Sequence, residues 1–453
     1  MKNYIFKDLL LNFILMIISI IAIFYIQNLG SSSCMLKNIW CGQDIDQYID
    51  YSDSLLSGHG FAAKKVTNMY FINPIKEKVY VPEVLRLPGY SLILTLGRYF
   101  NNNPRLLIYY NFLFYILILF YTAGILKIFV EKRIIPFAFI LIAFNPTLLF
   151  YTAIIGNADT FACITLTGFT YHLLKLMQNK KIILNTICTC LLGTLASFSR
   201  QNTVLSIFPL LLIFSIISLY EKKKETFKYL TLISLFIIFF LGLWTYRNYT
   251  IIGKPVLSVA SGMQLFAEYI EFTPYSDNST KNLYGKLIGS HGGEKYITAE
   301  RKKGKTIPQA YASFNNYIEE NMINYMIQNP KQILIHYNTA IKSIYLETTF
   351  NWPKKDFLSN LKVIDGYLQH ILLYISLFVP LTFFIKIDKI QKYLILSLWA
   401  SSMIFIYISA FFHGIVIGNR GILPVLPLII IIAITFLQKI STIISKSISN
   451  KNK

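Results

Sequence analysis

Ten apolar runs constrain this chain more than any other feature: 10–28, 104–126, 133–151, 157–175, 182–199, 202–220, 227–246, 367–385, 393–411 and 421–438. Each has roughly the 20 residues that a helix needs to cross the hydrocarbon core of a bilayer. The composition agrees, since 54% of the residues are hydrophobic and only 14% charged. A soluble domain carries about a quarter charged residues. Disorder is excluded by the hydrophobicity, and a disulfide scaffold by five Cys in 453 residues. The expected fold is an all-α polytopic membrane protein of about ten transmembrane helices. The first run is long and lacks a small-residue cleavage site, so it is expected to be a retained anchor.

Two polar segments, 29–103 and 247–366, are too long to be turns. They divide the chain into a transmembrane core, 1–246, that carries the first outer loop; a second outer loop, 247–366; and C-terminal transmembrane helices, 367–453. Numbering the spans in order puts the N-terminus, 127–132, 176–181, 221–226, 386–392 and the C-terminus on one side, with 19 basic groups counted to the span edges. Positive charge on short loops marks the cytoplasmic side. Both termini are then cytoplasmic and both long loops face outward, which fits a multi-pass protein of the bacterial inner (plasma) membrane. The net charge of +21 would suggest nucleic acid in a soluble protein. Here it sets orientation, and no outer basic–aromatic groove supports a nucleic-acid partner.

The first outer loop opens on an acidic cluster, Asp44, Asp46, Asp50 and Asp53. Tyr48, Tyr51, Leu55 and Leu56 recur at helical spacing, which predicts a short amphipathic helix over 46–57 lying on the membrane. Gly58 ends it. Asp44 or Asp46 either caps that helix or stands as an exposed carboxylate able to act as a base. Asp159 is the one acid inside an apolar run, and an intramembrane acid is a functional candidate by default.

Arginine collects where the outer loops meet the membrane, at Arg86, Arg200, Arg247 and Arg420. Its planar fork suits phosphate recognition, while snorkelling to the headgroups explains any single one of them equally well. Arg86 sits beside Pro88 and Gly89, on irregular backbone at headgroup level.

In the second outer loop, Tyr311, Phe314, Ile318, Met322 and Tyr325 share a helical face within 308–328. Leu334, Tyr337, Ile341 and Tyr345 do so within 331–349. Both are expected to be interfacial helices closing over the outer face. Cys34 and Cys41 share the first outer loop, either as a disulfide or unpaired, and Cys163, Cys188 and Cys190 read as apolar packing residues. There is no phosphate-binding loop, GxSxG or HExxH motif, and six scattered His give no metal-ligand spacing. No cofactor is firmly implied, although the acidic cluster could recruit a divalent cation.

The chain resembles the GT-C glycosyltransferases, in the family of the dolichyl-phosphate-mannose protein mannosyltransferases and the bacterial undecaprenyl-phosphate aminoarabinose transferase. The likeness runs over about 10–260 and 418–430. It rests on Asp44-Ile-Asp-Gln-Tyr48 with Leu55-Leu-Ser-Gly58, on Arg86-Leu-Pro-Gly-Tyr90, and on Asp159 at the start of the fourth span. Leu195-Ala-Ser-Phe-Ser-Arg200, Trp244-Thr-Tyr-Arg-Asn-Tyr249 with Gly253, and Arg420 ahead of Pro424 and Pro427 complete it. The resemblance implies transfer of a hexosyl or pentosyl unit from a polyprenyl-phosphate donor to a hydroxyl of a lipid, glycan or protein acceptor, with inversion. It also implies that Asp44 or Asp46 is the base and Asp159 part of the catalytic set. Arg86, Arg200, Arg247 and Arg420 would bind the donor phosphate, and Tyr48, Tyr90 and Asn248 would support them. The competing readings are a polysaccharide polymerase or ligase, which the acidic first loop disfavours, and a lipid-linked-sugar flippase. The flippase would need charges deep inside the bundle.

Overall fold

A computed structural model describes residues 2–29, 44–64, 79–101, 107–153, 158–267, 269, 292–346, 356–385 and 388–451. In chain order the helices are α1 (Lys2–Leu29), α2 (Ile45–Leu56), α3 (Gly89–Phe100), α4 (Leu107–Phe129), α5 (Ile135–Ala143), α6 (Pro146–Ala153), α7 (Ala158–Met177), α8 (Ile182–Ser199), α9 (Val204–Tyr220), α10 (Lys224–Ile252), α11 (Ser261–Phe266), α12 (Gly292–Lys302), α13 (Ile307–Gln328), α14 (Pro330–Leu346), α15 (Asp356–Leu377), α16 (Lys389–Ile417) and α17 (Leu426–Lys451). A two-stranded antiparallel ribbon, β1 (Ala62–Ala63) and β2 (Val81–Pro82), lies between α2 and α3. Tight 3₁₀ segments precede α9 (Gln201–Thr203), follow α15 (Val379–Phe384) and precede α17 (Gly418–Val425).

Among the described residues, six helices are long and apolar enough to cross a membrane: 109–129, 182–199, 201–220, 224–252, 389–412 and 422–445. A seventh span is present if α5 and α6, bent by 44° at a break before Pro146, count as one. Proline there removes a backbone donor and opens α6. The protein is therefore an all-α, multi-pass membrane protein. Its apolar faces point outward as a membrane protein's do, with Leu232, Leu235, Ile238 and Phe239 of α10 all exposed.

The three remaining expected spans form helices but fall short of that test. In α1 the apolar stretch within the described side chains is 13–27. In α7 nearly every residue is buried, including Asp159, Thr160, Thr165, Thr167 and Thr170. A helix sheathed in protein meets little lipid and tolerates more polar residues. α15 opens on Asp356 and carries Asp365 and His370.

Hydrogen bonds sort the connections onto two ends. At one, Glu131 N donates to Gln438 Oε1 at 3.2 Å, Gln391 Nε2 to Ile128 O at 3.3 Å and Thr226 Oγ1 to Asn179 Oδ1 at 3.0 Å. Lys389 lies 3.6 Å from Glu221 there. These are the lysine-rich connections that the charge pattern groups together. At the other end, Val259 N donates to Val84 O at 2.9 Å and Asn202 Nδ2 to Ser409 Oγ at 3.2 Å.

This second end carries its own small core. Tyr311, Phe314, Ile318, Met322 and Tyr325 of α13 are buried there with Val81, Val84, Leu85, Val259 and Phe266. The stripe read from sequence thus packs on protein. Helix α13 starts at a capping box formed by Thr306 and Gln309. In α14 the sequence stripe is out of phase at its start. Leu334 is 68% exposed, whereas Ile333, His336 and Ala340 are buried. The side chains of Tyr345 and Arg420, and residues Cys34 and Cys41, lie outside the described set. Cys163, Cys188 and Cys190 are free thiols.

Candidate active site

Helix α2 forms where the sequence predicts it, but its apolar stripe packs on protein. Tyr48 meets Tyr90 edge-on at 4.9 Å, and Tyr51 packs on Phe61 at 5.1 Å. Tyr90 in turn contacts Phe161 of α7 at 6.1 Å. Tyr48 and Tyr90 therefore join α2 and α3 to the Asp159 helix through aromatic packing.

The acidic cluster of α2 does not converge. Asp44 occupies the N-cap position without a side-chain cap bond. Its carboxylate instead receives Arg86 Nη2 at 2.8 Å. Asp50 accepts from Lys64 N at 2.8 Å, which ties α2 to β1. Asp53 pairs with the buried Arg98 of α3 at 2.6 Å. Asp46 Oδ1 is buried without a hydrogen-bond partner among the described residues. No group of three or more His, Cys, Asp or Glu among the described residues is placed to hold a metal ion.

Arg86 is held from three directions. Its Nε donates to Gln47 Oε1 at 3.2 Å, its Nη2 to Asp44, and its backbone N to Glu83 Oε1 at 2.9 Å. Glu83 is fully buried and also accepts from Leu85 N, so it shapes the loop that presents Arg86. Burial works against the Arg86 charge. Asp44, Tyr48, Tyr51 and Glu83 outweigh it and hold the guanidinium above its ordinary value. Tyr311 of α13 sits over the same loop. Burial first, then Glu83, raises its phenol above the ordinary range, against a smaller opposing effect from Arg86. Sequence reading missed Glu83, Gln47 and Tyr311. The only local signal was an acid three residues before Arg86.

A further ion pair joins α7 to the end of α8. Asp159, in the opening turn of α7, is fully buried and pairs with Arg200 Nε at the end of α8. Gly89 connects the two regions. A Cβ there would stand 2.7 Å from the Phe198 carbonyl carbon and 2.9 Å from Ser199 N. Only glycine lets the start of α3 approach the end of α8 this closely. The Pro-Gly-Tyr stretch and the Ser-Phe-Ser-Arg stretch are thus two sides of one junction.

Arg247 is used differently. Its Nη2 donates to Phe61 O at 2.9 Å, and its Nη1 to Asn248 Oδ1 at 2.8 Å and to Glu83 O. Its guanidinium lies 4.7 Å from the Trp244 ring centre. Asn248 is buried and donates to Val256 O and Leu257 O at 2.9 and 3.0 Å. Trp244 Nε1 also donates to Leu257 O at 3.0 Å. The Trp-Thr-Tyr-Arg-Asn stretch thereby clasps the ribbon and the chain beyond Gly253, which ends α10 at φ +78°. By contrast, Arg86 Nη1 and both terminal nitrogens of Arg200 make no hydrogen bond among the described residues. The Arg420 backbone lies in the 3₁₀ segment that packs on α7.

Searches against protein-family models, curated proteins and solved structures give no match for this chain.

Proposed function

We propose that the protein is an integral membrane glycosyltransferase that moves a sugar from a polyprenyl-phosphate donor to an acceptor hydroxyl. The observation that carries this reading is the juxtaposition of Asp44 and Arg86 at 2.8 Å, with Asp46 two residues on, its Oδ1 buried without a hydrogen-bond partner among the described residues. It supplies a carboxylate for the incoming hydroxyl and a half-used cation for the departing phosphate. In this reading the chain crosses the inner membrane ten times, with α1, α7 and α15 included. Both termini are cytoplasmic and the site faces outward.

The acceptor oxygen attacks the anomeric carbon while the bond from that carbon to the phosphate oxygen breaks. The proton passes to the carboxylate, and the electron pair leaves with the phosphate. A phosphate needs no general acid, so fixed positive charge is sufficient to hold it. Arg86 and Arg200 fit that task best because each keeps N–H groups unspent. Arg420 is a further candidate by its place in the chain, and Arg247 acts by holding the ribbon. Two assignments of the base differ at Arg86. Asp44 serves if the donor phosphate takes Arg86 from it. Asp46 serves if the Asp44–Arg86 pair stays intact.

The test is transfer from a radiolabelled polyprenyl-phosphate sugar by the purified full chain, with Asp44→Asn and Asp46→Asn combined. Full activity of the double variant would sink the reading. In liposomes, movement of the donor lipid without glycoside formation would favour a flippase. The surface glycans of a deletion strain, compared with its parent, would identify the acceptor class.

A further inference from the structure

Helices α9 and α16 are bolted together along part of their length and separate along the rest. Ser206 and Ser401 bring their hydroxyls to 2.6 Å, and Asn202 bonds Ser409 at 3.2 Å. Small polar side chains allow that approach. Toward the lysine-rich end the facing residues become Ile213, Ile216 and Tyr220 on α9, and Tyr393, Leu396 and Ala400 on α16. There the helices leave a cavity of about 540 Å³ between them. Its lining is almost wholly apolar, and it opens sideways, since Ile216 is 56% exposed. Seven residues separate Ile213 from Tyr220, a rise of about 10 Å, or roughly a third of the hydrocarbon thickness.

The mouth of this groove is polar and positively charged. Lys389 Nζ lies 3.3 Å from Tyr220 Oη and 4.3 Å from the centre of that ring. Tyr393 closes the other side, 6.4 Å from Tyr220 in an edge-on arrangement. Lys392 bonds Phe383 O at 2.8 Å nearby, and Lys222, Lys223 and Lys224 follow α9 directly. Two acids lie at the rim, Glu221 at 3.6 Å from Lys389 and Asp388, whose carboxylate accepts from Gln391 N at 3.0 Å, and the lysines outnumber them. Two tyrosines at the edge of an apolar slot, with a lysine above them, form the arrangement that meets a lipid headgroup.

We propose that this groove binds one anionic glycerophospholipid, with an acyl chain between α9 and α16 and its phosphate at Lys389. Apolar walls alone would accept any chain. The charge at the mouth is what selects an anionic headgroup over a zwitterionic one. The groove lies at the opposite end of the bundle from Asp44 and Arg86, so its occupancy does not depend on the chemistry there.

The test is native mass spectrometry of the purified full chain in a neutral detergent, titrated with phosphatidylglycerol or phosphatidylcholine. One phosphatidylglycerol should be retained, in preference to phosphatidylcholine by about fivefold, the worth of one interfacial lysine. Lys389→Gln changes an exposed side chain and leaves the fold intact, and it should erase the preference. Ala400→Trp should fill the slot and lose the bound copy of either lipid. Equal retention of the two lipids by the unaltered protein would overturn the proposal. So would an unchanged preference in Lys389→Gln. Stoichiometric displacement of phosphatidylglycerol by undecaprenyl phosphate would also overturn it, and would make the groove a carrier-lipid site.

Discussion

Arg86 binds Asp44 through one terminal nitrogen at 2.8 Å and leaves the other without a partner among the described residues. A guanidinium used on one edge is a preorganised anion site, since its position is fixed before the ligand arrives. Arg86→Lys keeps the charge but loses the fork. It should weaken donor binding more than it lowers stability. Asp46→Asn and Asp44→Asn made singly decide the base. The variant that removes it should lose about 10²–10⁴-fold in transfer. The other should chiefly change the donor KM. Equal and small losses in both would show that neither carboxylate takes the proton.

The Asp159–Arg200 pair makes a second prediction. Asp159 is fully buried and Arg200 is 17% exposed. Removing one partner of a buried pair costs up to about 3–5 kcal/mol, because the other buried charge loses part of its compensation. Arg200→Gln should therefore lower the thermal midpoint in detergent sharply. Combining it with Asp159→Asn should restore most of the loss. If the double variant is stable but binds donor as weakly as Arg200→Gln alone, Arg200 also contacts the donor. If the double variant is no more stable than the single, the pair is not a coupled unit.

Much of this arrangement was legible in the sequence, and the exceptions have physical causes. The 3.6-residue stripe of α13 named its buried face correctly, and α8 spans 182–199 as the apolar run predicts. Local patterns of that kind carry their own information. Asp44 was harder to read because capping is a local contact, whereas its actual partner lies 42 residues away. Glu83 left almost no trace, since its carboxylate turns back onto the amides of its own loop. Leu334 broke phase because α14 faces two packed clusters, with Ile333 in one and Tyr337 and Ile341 against the other. α7 is less apolar than its neighbours because it carries Asp159 and four Thr, all of them buried within the protein. In sequence Arg247 resembled the other arginines at the ends of apolar runs, and only its carbonyl partners set it apart.

Gly89 provides a third prediction. Its missing Cβ would meet the Phe198 and Ser199 backbone at 2.7–2.9 Å, and backbone cannot swing aside as a side chain can. Gly89→Ala should cost about 1–3 kcal/mol by overpacking, and transfer should fall as Arg86 and Arg200 are forced apart. Gly242 of α10 has nothing within 4 Å of its ideal Cβ position. Gly242→Ala should therefore leave the midpoint within about 1 kcal/mol of the parent. Similar behaviour of the two variants would contradict the close junction.

A fourth prediction concerns pH. Glu300 accepts from Lys303 at 2.6 Å and from Lys305 at 2.5 Å, and those bonds hold its carboxyl below the ordinary range. A depressed carboxylate stabilises the fold above its unfolded value of about 4.3, and the contribution disappears as pH falls through the folded value. Amides 303–305 should thus exchange faster in Glu300→Gln than in the parent at neutral pH. The difference should close on acidification. A difference independent of pH would mean that the carboxylate charge plays no part.

Arg247 separates a structural tie from a phosphate ligand. Its donors reach Phe61 O, Glu83 O and Asn248 Oδ1, so both flanks of the ribbon hang on one side chain. Arg247→Gln cannot span those acceptors together. Hydrogen exchange at 61–64 and 81–85 should then accelerate with no donor present, because the tie is internal to the protein. Donor affinity should fall as a consequence, since Glu83 and the Arg86 loop move with the ribbon. A tie and a ligand differ in the order of these effects. If exchange in the ligand-free protein stays unchanged while donor affinity drops, Arg247 acts on the phosphate directly. The carbonyl contacts would then describe a resting position that the donor displaces.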